Sequence, residues 1–130
     1  MKFLLDTQVW LWLQTQPERV PEETRALLSD GAAQLLLSAA SSWEIAIKHA
    51  LGKLPLPESP RTYVPSRMRH DGVDAIPVTH THALHVETLP QHHRDPFDRL
   101  LVAQAQLENL TLVTADPQIE RYDVTLLRVA

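Results

Sequence analysis

Short apolar runs alternate along this chain with longer stretches of helical periodicity. The run FLLD is followed by TQVWLWLQ, QLLLSA is followed by SSWEIAIKHALGKL, and PFDRLLVAQAQLENL precedes TLVTAD and VTLLRV. Strand-like segments separated by helices predict an α/β fold with a central, mainly parallel sheet. The chain has 130 residues and shows no repeat or linker, so we expect a single domain spanning residues 1–130.

Prolines mark the boundaries of several predicted helices. Pro21, Pro96 and Pro117 stand where helices would begin, because proline is well tolerated at the first helical position. The region 58–90 is the least regular part of the chain. It predicts a helix around TYVPSRMRH that is interrupted or offset at Pro65.

The composition excludes several kinds of site. Without cysteine there is no disulfide, thiolate metal site or cysteine nucleophile. Asp6 interrupts the apolar N-terminal run, no cleavage site follows, and no apolar stretch reaches the ~20 residues of a membrane helix. We therefore expect a cytoplasmic protein that does not enter a membrane. The net charge of −4 argues against extended nonspecific coating of nucleic acid, although local basic patches remain compatible with it.

Acidic residues recur where the predicted strands end and helices begin. Asp6 and Asp116 each end a strand-like run, whereas Glu44 and Asp98 lie near the starts of helices. Because parallel strands present their carboxyl ends at one edge of a sheet, we expect these four carboxylates to lie near one another.

Helix capping is an alternative explanation for each acid. Ser41 and Glu44 have the spacing of a capping box, and Asp95 and Asp116 each precede a proline, as an N-cap would. Serine, threonine or asparagine would cap equally well without gathering negative charge at one edge. A hard divalent cation suits such an all-oxygen cluster, and a cluster of this kind can support phosphoryl displacement. The pattern therefore favours nuclease chemistry.

Four segments together resemble PIN-domain ribonucleases, and specifically the VapC-type toxins of bacterial toxin-antitoxin modules. These segments are LLDTQVWLW, SAASSWEIAIKHALGKL, HHRDPFDRLLVAQA and TLVTADPQIERYDV, in the order that the family shows. The resemblance implies a PIN-like three-layer α/β/α sandwich and a metal-dependent endoribonuclease that uses Mg²⁺ or Mn²⁺. It also implies a cognate antitoxin that inhibits the enzyme, and usually a homodimer.

The resemblance also assigns roles to particular positions. The catalytic and metal-binding acids would be Asp6, Glu44, Asp98 and Asp116, and Asp95 would be either a further metal ligand or only a helix cap. Thr114 would orient a water or phosphate, unless it is an ordinary strand residue. Arg94 and Arg99 are candidates for phosphate contacts or surface ion pairs.

Other readings of the acidic residues remain open. A catalytically inactive PIN-like protein-binding module could keep the acids as caps. A phosphatase could also place aspartate after its first strand, but LLDTQ lacks a second aspartate two residues on. RNA cleavage that is lost with EDTA separates the nuclease from both.

Histidine and tryptophan residues offer weaker candidate sites. His80, His82 and His85 could bind zinc, but no fourth ligand is evident, so solvent-facing histidines at a helix entrance are the preferred interpretation. The three tryptophans could stack on bases, but their apolar helical patterns favour core or dimer packing; they are Trp10, Trp12 and Trp43. Lys48 follows Glu44 at i+4 and predicts a helix-supporting ion pair.

Overall fold

A five-stranded parallel sheet forms the centre of the protein in a computed structural model that describes residues 1–129. Its spatial order is β3-β2-β1-β4-β5, and all four neighbouring pairs are parallel. The strands are β1 (Lys2–Leu5), β2 (Gln34–Ser38), β3 (Val73–Ile76), β4 (Thr111–Thr114) and β5 (Leu126–Arg128). The predicted α/β class with a mainly parallel sheet is confirmed.

Helices connect the strands. The α-helices are α1 (Thr7–Thr15), α2 (Glu22–Leu28), α3 (Ala39–Ala50), α4 (Pro60–Asp71), α5 (His80–His85) and α6 (Pro96–Glu108). Short 3-10 helices span Pro17–Arg19, Val86–Thr88 and Pro117–Arg121. No helix among residues 1–129 combines the length and the apolar character needed to cross a membrane.

Both faces of the sheet are buried. Along β1, Phe3 and Leu5 belong to one apolar cluster, which includes Trp10 of α1, whereas Leu4 belongs to a second cluster, which includes Leu101 of α6. Successive residues of a strand point to opposite faces, so helices must cover the sheet on both sides. This arrangement is the expected three-layer α/β/α sandwich.

Helix α4 runs without interruption through Pro65, which corrects the predicted break. Proline inside a helix removes one hydrogen bond and typically costs about 3 kcal/mol. Tyr63 and Val64, directly before the proline, are buried in the core, and their burial offsets that cost.

Helix α3 begins earlier than the predicted capping box required. Its N-cap is Ser38, whose side chain accepts a hydrogen bond from the backbone N–H of Ala40 at 3.0 Å. Ser41 and Glu44 therefore lie inside the helix, and the prediction of Ser41 as the N-cap was wrong. The two intervening residues, Ala39 and Ala40, are helical.

Candidate active site

Five carboxylates line one cleft of about 440 Å³ at the carboxyl edge of the sheet. Asp6 directly follows β1, and Asp116 lies two residues beyond β4, the strand that pairs with β1. The helices on the two sides of the sheet supply the others, so the complete set is Asp6, Glu44, Asp95, Asp98 and Asp116. The structure thus brings together all the acids singled out from the sequence.

Three of these acids also cap helices. Asp6 accepts the N–H of Val9 at the start of α1, at 2.7 Å. Asp95 Oδ1 accepts the N–H of Phe97 at 2.8 Å, which confirms Asp95 as the N-cap of α6. Asp116 caps the 3-10 helix that follows it. Capping and clustering therefore coexist, because each cap uses only one oxygen of the carboxylate.

Burial and mutual repulsion make ionisation of two of the acids unfavourable. Burial is the main cause that raises the pKa of Asp6 to about 6, with smaller contributions from the charges of Asp116 and Glu44. Burial likewise raises the pKa of Asp98 to about 7, and the charges of Asp95 and Asp6 add to the effect. A bound cation would favour the ionised forms.

Glu44 carries a buried oxygen without a hydrogen-bond partner among residues 1–129. The residue is only 5% exposed, and its Oε2 accepts from Lys48 Nζ at 2.6 Å, which confirms the predicted i+4 pair. The hydrogen bond to Glu44 is the main cause that raises the pKa of Lys48. Oε1 is buried and unsatisfied. Because an unsatisfied buried oxygen is costly, this atom fits a hard cation in an all-oxygen site.

Thr114 ties the acids of the two neighbouring strands together. Its hydroxyl donates to Asp6 Oδ2 at 2.5 Å and accepts the N–H of Asp116 at 3.0 Å. The side chain is buried, and its single hydrogen is used by Asp6. Thr114 therefore positions two carboxylates, a role that the sequence alone did not indicate.

His93 belongs to this cluster, although the sequence analysis did not assign it to the site. Its Nε2 lies 3.0 Å from Asp98 Oδ2 and 2.7 Å from Asp116 Oδ2. Its Nδ1 accepts the N–H of Asp95 at 3.1 Å, which places the ring proton on Nε2. The available signal was the position of this histidine two residues before the N-cap of α6.

Arg99 does not face the cleft, which contradicts the predicted phosphate contact. Its guanidinium is buried and donates to the carbonyl oxygens of Pro90 at 3.0 Å and Val86 at 3.1 Å. Arg99 therefore fixes the segment that leads into α6. Arg94 is exposed but does not line the cleft.

The histidines of α5 form hydrogen bonds to α6 instead of a zinc site. His82 Nε2 lies 2.8 Å from Glu108 Oε2, and His85 Nε2 lies 2.8 Å from Gln106 Oε1. No group of three potential ligands among residues 1–129 contains either histidine. His82 is only 2% exposed, so the prediction that these histidines face solvent was wrong for it.

The three tryptophans differ in environment. Trp10 is fully buried in the core. The guanidinium carbon of Arg19 lies over the Trp12 ring, 4.9 Å from the centroid of that ring. Trp43 is 62% exposed and contacts Phe97 edge to face, with the centroids 5.3 Å apart. The prediction that the tryptophans pack in the core was therefore wrong for Trp43.

Comparisons with known proteins agree with this architecture. The PIN domain family model matches residues 3–124. Ribonuclease VapC16 of Mycobacterium tuberculosis (strain ATCC 25618 / H37Rv) is 54% identical over 63 residues, which are 48% of this chain and 45% of that protein. The aligned part thus spans less than half of this relative's length.

Two solved structures share the fold. VapBC2 from Rickettsia felis, bound to a DNA fragment from their promoter, superposes with a TM-score of 0.76 at 16% identity and covers all of both chains. A toxin-antitoxin complex from Klebsiella pneumoniae gives a TM-score of 0.65 at 17% identity, covering 98% of this chain and 97% of that one. At such identities the likeness establishes the fold alone. Because the family model extends over nearly the whole sequence, the chain belongs to the PIN domain family.

Proposed function

We propose that this protein is a divalent-metal-dependent endoribonuclease that hydrolyses RNA phosphodiester bonds and acts as a toxin inhibited by a cognate antitoxin. The observation that carries the proposal is the convergence of five carboxylates on one cleft, with Glu44 Oε1 buried and unsatisfied. The 54% identity of its aligned half to a VapC ribonuclease supports the reaction class.

The proposed ligands of the ion, Mg²⁺ or Mn²⁺, are the four acids Asp6, Glu44, Asp98 and Asp116. When bound, the ion would activate water and stabilise charge that develops on the phosphate. Thr114 holds Asp6, and Lys48 holds Glu44, so the two carboxylates are kept in place before the substrate arrives. Asp95 caps α6 with Oδ1, and its Oδ2 remains available in the cleft.

The expected reaction is direct hydrolysis that leaves a 5′-phosphate and a 3′-hydroxyl. No cysteine is present, and the buried carboxylates are better suited to binding a cation than to attacking phosphorus. We therefore propose that no covalent intermediate with the protein forms.

Incubation of single-stranded RNA with the purified protein tests this function. We expect cleavage with Mg²⁺ or Mn²⁺, none with EDTA, and none with Asp98→Asn or Glu44→Gln. Glu23→Gln, an exposed change on α2 away from the cleft, is the matched control and should cleave normally. Unchanged cleavage by folded Asp98→Asn would exclude Asp98 as a ligand, and inactivity of the wild type with both metals would favour the inactive binding module.

The proposed protein partners are an antitoxin and a second copy of the chain. Trp43 and Ile47 on α3 and Leu51, its C-cap, are spaced four residues apart and are all exposed, which supports a protein-binding surface there. The structural relative from Klebsiella pneumoniae is itself a toxin-antitoxin complex. Coexpression with the adjacent small open reading frame should relieve growth arrest and yield a complex. Light scattering of the isolated protein tests the dimer.

A further inference from the structure

The cleft of this protein is strongly acidic, although the proposed substrate is a polyanion. Five carboxylates line it, and the basic residues that line it within 1–129 are Lys48 and Lys53. A bound divalent ion would offset only part of this charge. An RNA backbone that approaches the carboxylates therefore needs a positive side chain nearby.

The two lysines differ in their availability. Lys48 Nζ is engaged by Glu44 Oε2 at 2.6 Å. Lys53 is exposed and forms no side-chain ion pair or hydrogen bond within the described part of the chain. An ordinary solvated surface lysine would also be exposed, but it would not line an anionic cleft.

The end of α3 determines where Lys53 lies. Gly52 adopts a left-handed conformation with φ of 73°, and its N–H donates to the carbonyl of His49 at 3.0 Å. The N–H of Lys53 donates to the carbonyl of Lys48 at 2.9 Å. This pair of hydrogen bonds is a Schellman motif, which reverses the chain after the helix. The motif returns Lys53 to the cleft and holds its backbone there.

We propose that Lys53 is a phosphate-binding residue that receives a backbone phosphate of the RNA at the α3 side of the acidic cleft. The proposal rests on the endoribonuclease function proposed above. An ammonium group binds phosphate as a point charge, so Lys53 would strengthen binding to RNA without selecting its sequence.

The salt dependence of RNA binding tests this role. The parent is the Asp98→Asn protein with Mg²⁺, which we expect to bind RNA without cleaving it. Fluorescence anisotropy follows a labelled single-stranded RNA from 50 to about 300 mM salt. Each phosphate neutralised on a single strand contributes about 0.7 to the slope of log K against log salt. Lys53→Ala should reduce the slope by about 0.7 and weaken binding equally for different sequences, whereas Lys53→Arg should keep the slope.

Lys2→Ala is the matched control. Lys2 begins β1 and is exposed, and it lies at the opposite end of the strand from Asp6, so its removal should leave the slope unchanged. The Lys53 side chain has no partner to lose, so the alanine variant should fold normally.

Three outcomes would overturn the role. If the parent binds RNA and Lys53→Ala keeps its slope, the phosphate contact is wrong and the proposed function stands. If Lys53→Ala weakens only the complex with the coexpressed antitoxin, the residue belongs to the protein interface instead. If the parent does not bind RNA, the phosphate contact fails, whereas the endoribonuclease proposal is decided separately by cleavage with the wild type.

Discussion

His93 Nε2 lies 2.7 Å from Asp116 Oδ2, so an imidazole N–H bridges carboxylates from two separate elements. The same nitrogen lies 3.0 Å from Asp98 Oδ2. The Nδ1 contact with the N–H of Asp95 fixes the ring and its tautomer. His93 therefore joins the segment before α6 to the residue that caps the last 3-10 helix.

Replacing His93 with alanine should destabilise the protein in EDTA. The change removes the donor to Asp98 and Asp116 and leaves the N–H of Asp95 without its acceptor, a loss typically of about 1–3 kcal/mol. Urea unfolding at pH 7.5 measures the effect, and exposed His80→Ala is the control. Equal losses in the two variants would show that the bridge contributes no stability.

Because His93 lowers the pKa of Asp98, a carboxyl NMR titration should also show that the pKa of Asp98 rises further in His93→Ala.

Asp98 should make the protein less stable as the pH rises. Burial and neighbouring carboxylates raise its folded pKa to about 7, whereas an unfolded aspartate titrates near ~3.9. Below about pH 4 Asp98 is protonated in both the folded and the unfolded protein, so its burial carries no ionisation penalty. From about pH 4 through 7 the unfolded state loses its proton first, and the stabilising contribution of the protonated group is lost.

Asp98→Asn cannot ionise and should therefore be more stable than the wild type at pH 8 in EDTA, by an amount of order 2 kcal/mol after allowance for partial exposure. The difference should shrink towards pH 4. Urea unfolding at both pH values measures it. A variant less stable than the wild type at pH 8 would indicate that the contact of Asp98 with His93 contributes more stability than ionisation of the buried carboxylate removes.

Addition of Mg²⁺ or Mn²⁺ should raise the unfolding temperature of the wild type. An ion that binds only the folded state stabilises it by about 2.7 kcal/mol at a concentration of 100 times Kd. Glu44→Gln should lose most of this shift, because it replaces the charged group that carries the unsatisfied Oε1. Glu23→Gln should keep the shift. Differential scanning calorimetry checks the prediction, and equal shifts in the two variants would argue against Glu44 as a ligand.

The parts of the site that were predictable follow from local rules combined with sheet geometry. Asp6 and Asp116 end apolar runs, and parallel strands bring such ends to one edge. Asp95 precedes proline, which marks the first turn of α6 and so places Asp98. Capping and strand pairing depend on a few neighbouring residues, so the sequence contains enough information to predict them.

The parts that were missed depend on contacts between distant segments. His93 joins the site through Asp116, 23 residues away. The guanidinium of Arg99 is held by the carbonyl oxygens of Val86 and Pro90, in the connection between α5 and α6. Lys53 reaches the cleft only because α3 ends in a left-handed turn at Gly52. The start of α3 was misplaced because Ser38 and Ser41 are equally good caps in isolation, and the end of β2 decides between them.

Arg99 should act through structure and not through RNA contact, and two substitutions separate these roles. Arg99→Lys keeps the positive charge but cannot reproduce the fork that donates to both Val86 and Pro90, so we expect a loss of about 2–3 kcal/mol in unfolding free energy. Arg99→Met removes the charge and leaves both carbonyls without this donor, so its loss should be at least as large. In the folded variants the salt slope of RNA binding should remain that of the parent, because the guanidinium is buried away from the cleft. If Arg99→Met instead had normal stability and a slope reduced by about 0.7, this result would support the phosphate contact predicted from the sequence.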